Sequence, residues 1–506
     1  MVKCSKILLV YPPNQLLPIE TPRPDGSLGP LYLAGALEEA GFETDILDAS
    51  VGTIEDNLQD TFYRSVMLPS GLIRIGMSVD EMSSMIARGG YDIVCVSSNF
   101  TSQTRMALEV ARAAKNVSKN ILVIAGGVNA RNLSERFLES GIVDAICLTE
   151  GEKIIVRMVE AYTRGKGFER VSGIAYQKDG KYFKNATDGK DIYVDLDELP
   201  FPAWHKMPFV HYDQIASPHG VLSSGVMRYA PIMTSRGCPF QCKYCHISTE
   251  IEDGISGDIG DLRMKSVPRV LEEISILRAL GVKKLYFEDD SLLAKKSRVK
   301  EIFEKITGMG LQIANVNGVN LAHFQKRGDG GKLTVDVEYL EILKAAGFNQ
   351  IVFPVESGSQ RILDEYATSK LNLSTFNVIE MVRIAARLGI ICPINMMIGF
   401  PDETEEEMFQ SIALGKTLVE NGAAYCTFFI PIPFPGSKLF QIAIDNGYIS
   451  SNFDTDIMNW KSAVMQNTVV SPERIIEIRD NAWREANTDE HVAMRLKSSI
   501  GGRWRD

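Results

Sequence analysis

Three cysteines stand close together in the stretch RGCPFQCKYCHI, Arg236 to Ile247, spaced C-x3-C-x2-C with an aromatic residue, Tyr244, directly before the last. Thiolates at such spacing are soft ligands for zinc or for an iron–sulfur cluster. A structural zinc site closes a tetrahedral shell of four ligands. Cys238, Cys242 and Cys245 offer three, and His246, adjacent to Cys245, is badly placed to turn onto the same ion. An iron–sulfur cluster held by three thiolates instead leaves one iron open to a substrate. The other five cysteines, Cys4, Cys95, Cys147, Cys392 and Cys426, stand singly, four of them in apolar runs, and read as buried small hydrophobes.

The elements around the trio place it. From about residue 230 to 440 the runs PIMTS, KKLYFED, LQIANVNG, NQIVFPVES, IICPINMMIG and AAYCTFFIPIP alternate with amphipathic stretches such as VPRVLEEISILRALG and STFNVIEMVRIAARLG. Six βα repeats, against the eight of a closed barrel, predict an open, partial (β/α)6 barrel. The trio follows the first strand and so falls at the carboxyl-terminal face, where barrel enzymes keep their chemistry. Acidic and turn-forming residues recur at later strand ends: Glu288-Asp289-Asp290, Glu356-Ser357 in VESGS, Gly399 and Pro401 in MIGFPDET, and PIPFPGSKLF. Any one of these acids alone reads as a solvated loop carboxylate; their recurrence at one face argues for a site. After strand three, Asn317, Asn320 and His323 are polar candidates for a substrate pocket, against ordinary turn and capping roles.

Residues 1–165 show a second alternation, with KILLVY, ETDILDA, DIVCVSS, ILVIAGG and DAICLTEGE as strands between helical stretches. This predicts a flavodoxin-like, Rossmann-type α/β domain with a parallel sheet covered on both faces. Ligands of such sheets bind at the carboxyl ends of the strands. Those ends carry Pro12-Pro13, Ser97-Ser98 with Thr101, Gly126-Gly127-Val128 and Glu150-Gly151. No G-x-G-x-x-G follows a strand, which disfavours a nicotinamide site. Residues 166–229 read as a connecting region, with a hairpin around Asp179-Gly180 and the linker DLDELPFPAW, and residues 441–506 as a helical carboxyl-terminal extension.

The 506 residues suggest about two to four domains. A net charge of −10 argues against a protein held to nucleic acid by phosphate contacts. The sequence shows neither a membrane-length apolar run nor a secretory pattern, so a cytoplasmic protein without a membrane partner is expected.

C-x3-C-x2-C with Tyr244, at the end of strand one of a six-repeat barrel, resembles the radical S-adenosylmethionine superfamily. The resemblance implies a 4Fe-4S cluster on Cys238, Cys242 and Cys245, its open iron chelated by the amino and carboxylate groups of S-adenosylmethionine. It implies S-adenosylmethionine contacts from Tyr244, Glu288, Asp289, Asp290, Glu356, Ser357, Gly399 and Pro401. LDELPFPAW, SSNFTS, GGVNARN and CLTEGE resemble the cobalamin-dependent subset, which implies cobalamin at Pro12, Pro13, Ser97, Ser98, Thr101, Gly126, Gly127, Val128, Glu150 and Gly151. One departure stands out: familiar cobalamin domains carry D-x-H-x-x-G, yet all six histidines here lie at His205 or later. A base-off corrin without an imidazole from that domain is therefore expected.

The implied function is that of a class B methyltransferase acting on an unactivated carbon of a small natural-product molecule. It would use a 5′-deoxyadenosyl radical, methylcobalamin and electrons from a flavodoxin- or ferredoxin-type donor. The spacing around RGCPFQCKYCHI and LYFEDDSLL is similar to that of the methylases of phosphonate and phosphinate antibiotic biosynthesis. The alternatives are a cobalamin-dependent cyclase or oxidase without methyl transfer, and a non-catalytic cobalamin or redox sensor. A methylthiotransferase is disfavoured, since Cys4, Cys95 and Cys147 stand in separate segments and form no second trio.

Overall fold

The structure is a computed structural model that describes residues 5–18, 20, 28–215, 227–251, 254–315, 317–328, 332–368 and 371–493; Cys4 and the end of the expected extension lie outside them. The chain divides into two compact units, Met1–Ile215 with Thr249–Asp261, and Ala216–Ser248 with Leu262–Asp506.

In the first unit, strands β1 (Ile7–Tyr11), β2 (Thr44–Asp48), β3 (Ile93–Ser97), β4 (Leu122–Gly126) and β5 (Ala145–Cys147) pair in parallel in the order β2-β1-β3-β4-β5. This is the flavodoxin-like order. Runs such as ILLVY and IVCVS are apolar throughout because both faces are covered. Leu8, Val10, Val94 and Val96 point to one core with Met82, Ile86 and Val110, from helices α2 (Val79–Gly89) and α3 (Thr104–Val117). Their neighbours Ile7, Leu9, Ile93 and Cys95 point to the other with Ala34, Leu37, Ile154 and Met158, from α1 (Leu28–Glu39) and α4 (Gly151–Thr163). The two sets alternate along each strand, as a pleated ribbon requires.

Two expectations for this half need correction. The expected hairpin around Asp179-Gly180 forms, but it is not part of a separate connecting region: its strands β6 (Ile174–Lys178) and β7 (Lys181–Asn185) extend the main sheet antiparallel from β5. Residues up to Ile215 pack into the same unit, so the connecting region 166–229 is largely part of the first domain. The buried Trp204 and Tyr212 anchor it, and the Tyr212 hydroxyl donates to Asp48 at 2.6 Å. The unit consequently does contain histidines. His205 lies 3.6 Å from Glu38, and His211 Nε2 lies 2.6 Å from the Thr53 carbonyl. A small sheet of Asn14–Leu16, Ser65–Met67 and Ile73–Ile75 also forms, from strands too short to show a period.

In the second unit, β8 (Tyr229–Ile232), β9 (Lys284–Phe287), β10 (Gln312–Asn315) and β11 (Phe348–Gln350) form one parallel sheet, and β12 (Phe353–Glu356), β13 (Pro393–Met397) and β14 (Tyr425–Phe429) a second. The expected fourth strand is split into β11 and β12, with Pro354 in the second part, and the bridge Gln350↔Ile391 links the sheets. The register sets Ile232 beside Phe287, Phe287 beside Asn315, Glu356 beside Met396 and Met397 beside Phe429, so the strands end together at one face.

The extension is less helical than its sequence suggests. Beyond α5 (Lys438–Asp445) the chain runs irregularly to α6 (Pro472–Ala486). That helix presents Ile475, Ile478, Arg479, Ala482 and Ala486 inward. The Asn487 amide then clasps the edge of β14, accepting from Cys426 N at 2.7 Å and donating to Cys426 O at 2.8 Å. The extension thus satisfies an otherwise open strand edge. Among the described residues no helix is long and apolar enough to cross a membrane.

Candidate active site

The loop after β8 is fixed from several sides. The Asp289 carboxylate, buried at the end of β9, accepts from Thr234 N at 3.0 Å, from Thr234 Oγ1 at 2.7 Å and from Ser235 Oγ at 2.6 Å. Asp290 Oδ2 accepts from Gly237 N at 3.1 Å. On the other side of the loop, Lys243 N donates to Tyr366 O at 2.8 Å, and Cys242 Sγ lies 3.6 Å from Ala367 O. The Tyr244 hydroxyl donates to Glu356 Oε1 at 2.8 Å, and its ring packs against a buried cluster of Ile362, Tyr366, Phe400, Leu439, Ala443 and Met465. Residues from strand ends two, four and five and from the extension thus hold one loop.

The three thiols sense one another electrostatically, and the backbone N–H groups of Phe240 and Ile247 point at Cys238 and Cys245. Burial raises the Cys238 thiol pKa and pushes that of Cys245 up to about 12. Thiolates therefore form here together with a bound cation, as iron ligation supplies. Among the described residues no three His, Cys, Asp or Glu side chains close round a single metal ion. A multi-iron cluster is held by thiolates at its corners, and three cysteines on one clamped loop fit that demand.

The expected contact residues fall into two groups. Glu288, Asp290, Glu356, Gly399 and Pro401 stand at the strand ends that the register brings level, and Tyr244 reaches Glu356 from the cysteine loop. Asp289 and Ser357, expected to touch S-adenosylmethionine, are instead occupied internally. Asp289 clamps Thr234 and Ser235, while fully buried Ser357 shares a 3.1 Å hydrogen bond with Ser411 and accepts from Ser359 N. Glu356 adopts φ +70°, a strained value for a non-glycine residue that suits a side chain aimed for use. Gly399 is at φ +98°, and a Cβ there would lie 2.6 Å from Ile475, so only glycine fits. After β10, Asn317 donates to the Glu288 carbonyl at 3.1 Å and Asn320 caps the turn through Ala322 N, both local roles. His323 faces the loop, its ring 5.7 Å from Phe240 and Nε2 3.3 Å from Ser291 Oγ. Burial brings its pKa down to about 4, so it is neutral.

Sequence reasoning missed Tyr366, Asp402 and Glu403. Tyr366 stacks on Phe400 at 4.2 Å and donates to Asp402 at 2.6 Å. Glu403 is the acid of the G-x-P-x-E-T segment in MIGFPDET, outside the expected contact residues. It is fully buried; Oε2 accepts from Gly399 N at 2.6 Å and Phe400 N at 3.0 Å, while Oε1 has no partner. Burial pushes its pKa up to about 8. An acid whose folded pKa lies above its unfolded value stabilises the fold fully below the unfolded value and loses that contribution as pH rises through the folded one. The melting temperature of the wild type should therefore fall between about pH 5 and about pH 8, and Glu403→Gln should flatten that part of the profile. Parallel melting profiles for the two proteins would refute it.

In the first unit, β3 and β4 align Ser97 with Gly126, so their following loops leave one edge together. Gly127 has φ +101°, and a Cβ there would lie 2.3 Å from Asn99 Oδ1. Asn129, from the short helix Val128–Asn132, donates to Ser98 Oγ and Thr104 Oγ1 at 2.9 Å, leaving Oδ1 buried without a partner. Phe100 is 60% exposed at this edge. Pro12 and Pro13 follow β1, and Glu150 and Gly151 open α4 after β5. An orphaned acceptor, small hydroxyl residues and an exposed aromatic fit a broad ring with amide substituents. Thr249–Asp261 belongs to this unit through an Arg131–Glu250 ion pair and a 2.7 Å bond from Thr149 Oγ1 to Ser256 O.

Residues 232–414 match the Radical SAM superfamily, and residues 26–159 match the B12 binding domain. The chain belongs to the cobalamin-dependent radical S-adenosylmethionine family, whose cofactors are a 4Fe-4S cluster, S-adenosylmethionine and cobalamin. An uncharacterized methyltransferase of Pyrococcus horikoshii is 28% identical over 466 residues, covering 91% of this chain and 86% of that one. Cytidylyl-2-hydroxyethylphosphonate methyltransferase of Streptomyces wedmorensis is 27% identical over 489 residues, with the same coverages of 91% and 86%. The chain's fold is that of TsrM from Kitasatospora setae with cobalamin and a [4Fe-4S] cluster bound (TM-score 0.61, 16% identity, 96% of this chain and 86% of that chain). It is also that of OxsB with aqua-cobalamin and S-adenosylmethionine bound (TM-score 0.69, 15% identity, 99% and 68%).

Proposed function

We propose that this chain methylates an unactivated carbon of a small molecule bearing a phosphonate or related anionic group. The observation that carries the reading is the clamped three-cysteine loop of the second unit in a chain whose first unit is a B12 binding domain. The phosphonate element is taken from the Streptomyces wedmorensis relative. When bound, the cluster supplies the electron that cleaves S-adenosylmethionine to a 5′-deoxyadenosyl radical, and cobalamin supplies the methyl group.

The chain's own residues bind and orient. Cys238, Cys242 and Cys245 hold the cluster. Glu288 and Asp290 receive the methionine ammonium, and Glu356, oriented by Tyr244, the ribose. Gly399 and Pro401 form the wall beside the adenine. Asp289 and Ser357 act one step back, as positioning residues. His323 stays neutral beside the loop and lines the substrate side. In the first unit, Pro12, Pro13, Ser97, Ser98, Thr101, Gly126, Gly127, Val128, Glu150 and Gly151 edge the corrin site. The described contacts of His205 and His211, with Glu38 and Thr53, support a corrin without a histidine beneath it. A flavodoxin- or ferredoxin-type protein is the electron donor.

A second reading is favoured by the anaerobic magnesium-protoporphyrin IX monomethyl ester cyclase of Cereibacter sphaeroides, 24% identical over 440 residues, 85% of this chain and 63% of that one. Incubation with methylcobalamin, a reductant and deuteromethyl S-adenosylmethionine separates the two. A labelled methyl group in the product, with one 5′-deoxyadenosine released per turnover, is the expected result. A product lighter by hydrogen and carrying no label would establish the cyclase instead.

A further inference from the structure

Arg479 stands on the buried face of α6 and is 5% exposed. Its guanidinium keeps its charge at any ordinary pH. The acceptors around it are few. Nη2 donates to the Lys461 carbonyl at 3.3 Å, a long bond, and Nε forms an ion pair at 2.7 Å with Oδ1 of the largely exposed Asp480. Nη1 is buried with no hydrogen-bond acceptor. The guanidinium lies over the half-buried Trp460 ring, 5.9 Å from its centroid. A buried cation whose one ion pair leaves Nη1 without an acceptor is costly, and an apolar side chain of similar length would pack there more cheaply.

Its position is at the catalytic face. Ile475, one turn before it, is the residue that packs on Gly399. Trp460 packs edge-on against Phe429 at 5.9 Å, and Phe429 ends β14 in register with Met397. Arg479 therefore borders the carboxyl ends of β13 and β14.

We propose that Arg479 anchors the substrate: its guanidinium, backed by Trp460, binds a phosphate or phosphonate group and holds the molecule at the carboxyl ends of β13 and β14. The proposal rests on the methyltransferase reading above and assigns the part of the substrate that is not methylated. A guanidinium presents a planar fork that pairs with tetrahedral oxyanions, and the indole face supplies an apolar wall. In a chain of net charge −10, a desolvated cation is also what admits an anionic molecule selectively. The carboxylate of S-adenosylmethionine is a second oxyanion at this face, so the test separates the two.

The full chain, reconstituted with cluster and cobalamin, is melted with increasing inorganic phosphate against chloride of equal ionic strength. Phosphate should raise the wild-type melting temperature to a plateau. Arg479→Met should abolish that shift, melt no lower than the wild type without phosphate, and leave S-adenosylmethionine affinity unchanged. Arg479→Lys should keep the shift at about tenfold weaker affinity, since it retains charge without the fork. The proposal is overturned by a wild type indifferent to phosphate or by a phosphate shift that survives in Arg479→Met. It is equally overturned by loss of S-adenosylmethionine affinity in that variant. If labelled methyl transfer fails while the Arg479-dependent shift persists, the reaction assignment falls and the anion site stands.

Discussion

Replacing Cys242 with Ala should leave a folded chain that still takes up cobalamin but releases no 5′-deoxyadenosine from S-adenosylmethionine. Cys242 is the most buried of the three, and its Sγ meets the Ala367 carbonyl and the Tyr244 hydroxyl, so trimming one atom costs the fold a small fraction of its stability. The chemical cost is far larger, because two thiolates on a clamped loop no longer hold a cluster with one open iron. Iron and sulfide content should collapse, and the corrin absorbance should remain. Cys238→Ala and Cys245→Ala should behave alike. Cys95→Ala is the control: burial pushes that thiol up to about 12 inside the first unit's core, and its loss should leave iron loading untouched. A Cys242→Ala protein with full iron content and undiminished 5′-deoxyadenosine release would remove the trio from the chemistry.

What the sequence made legible was whatever repeats or clusters locally. Hydrophobic runs marked the five parallel strands of the first unit and, as six runs of which the fourth is split, the seven of the second, because strands buried on both faces must be apolar at every position. The cysteine spacing marked the cluster loop for the same reason of locality. Long-range side-chain partners were invisible. The hairpin β6–β7 is legible as a hairpin, but its pairing with the edge of β5 is not. Asp289 and Glu288 are neighbours with the same chemistry, and only the position of Thr234 and Ser235 shows that the first faces inward. Arg479 sits among Arg and Glu residues of an ordinary amphipathic helix, and nothing local says that it alone of that group turns toward the core. The burial of Glu403 was equally hidden within its G-x-P-x-E-T segment, since a loop acid and a buried acid read alike in one dimension.

That distinction between neighbouring acids carries the second large effect. Asp289→Ala should destabilise the second unit by about 3–5 kcal/mol, because it leaves the Thr234 N–H, the Thr234 hydroxyl and the Ser235 hydroxyl buried without their acceptor. In a unit of this size that is on the order of 10 °C in melting temperature. Iron loading should fall with it, although no ligand has been changed, because Ser235 leads directly into the loop that carries Cys238. Asp289→Asn keeps one acceptor oxygen and should lose about half as much. Glu288→Gln makes the opposite case: the melting temperature and iron content should hold, and the KM for S-adenosylmethionine should rise about tenfold or more as the ammonium loses a charged partner. Denaturant melts, iron assays and KM measured across the three variants separate a positioning carboxylate from a contacting one. If Asp289→Ala held its stability and iron while raising only the KM, the assignment would reverse, and Asp289 would be the residue that meets S-adenosylmethionine.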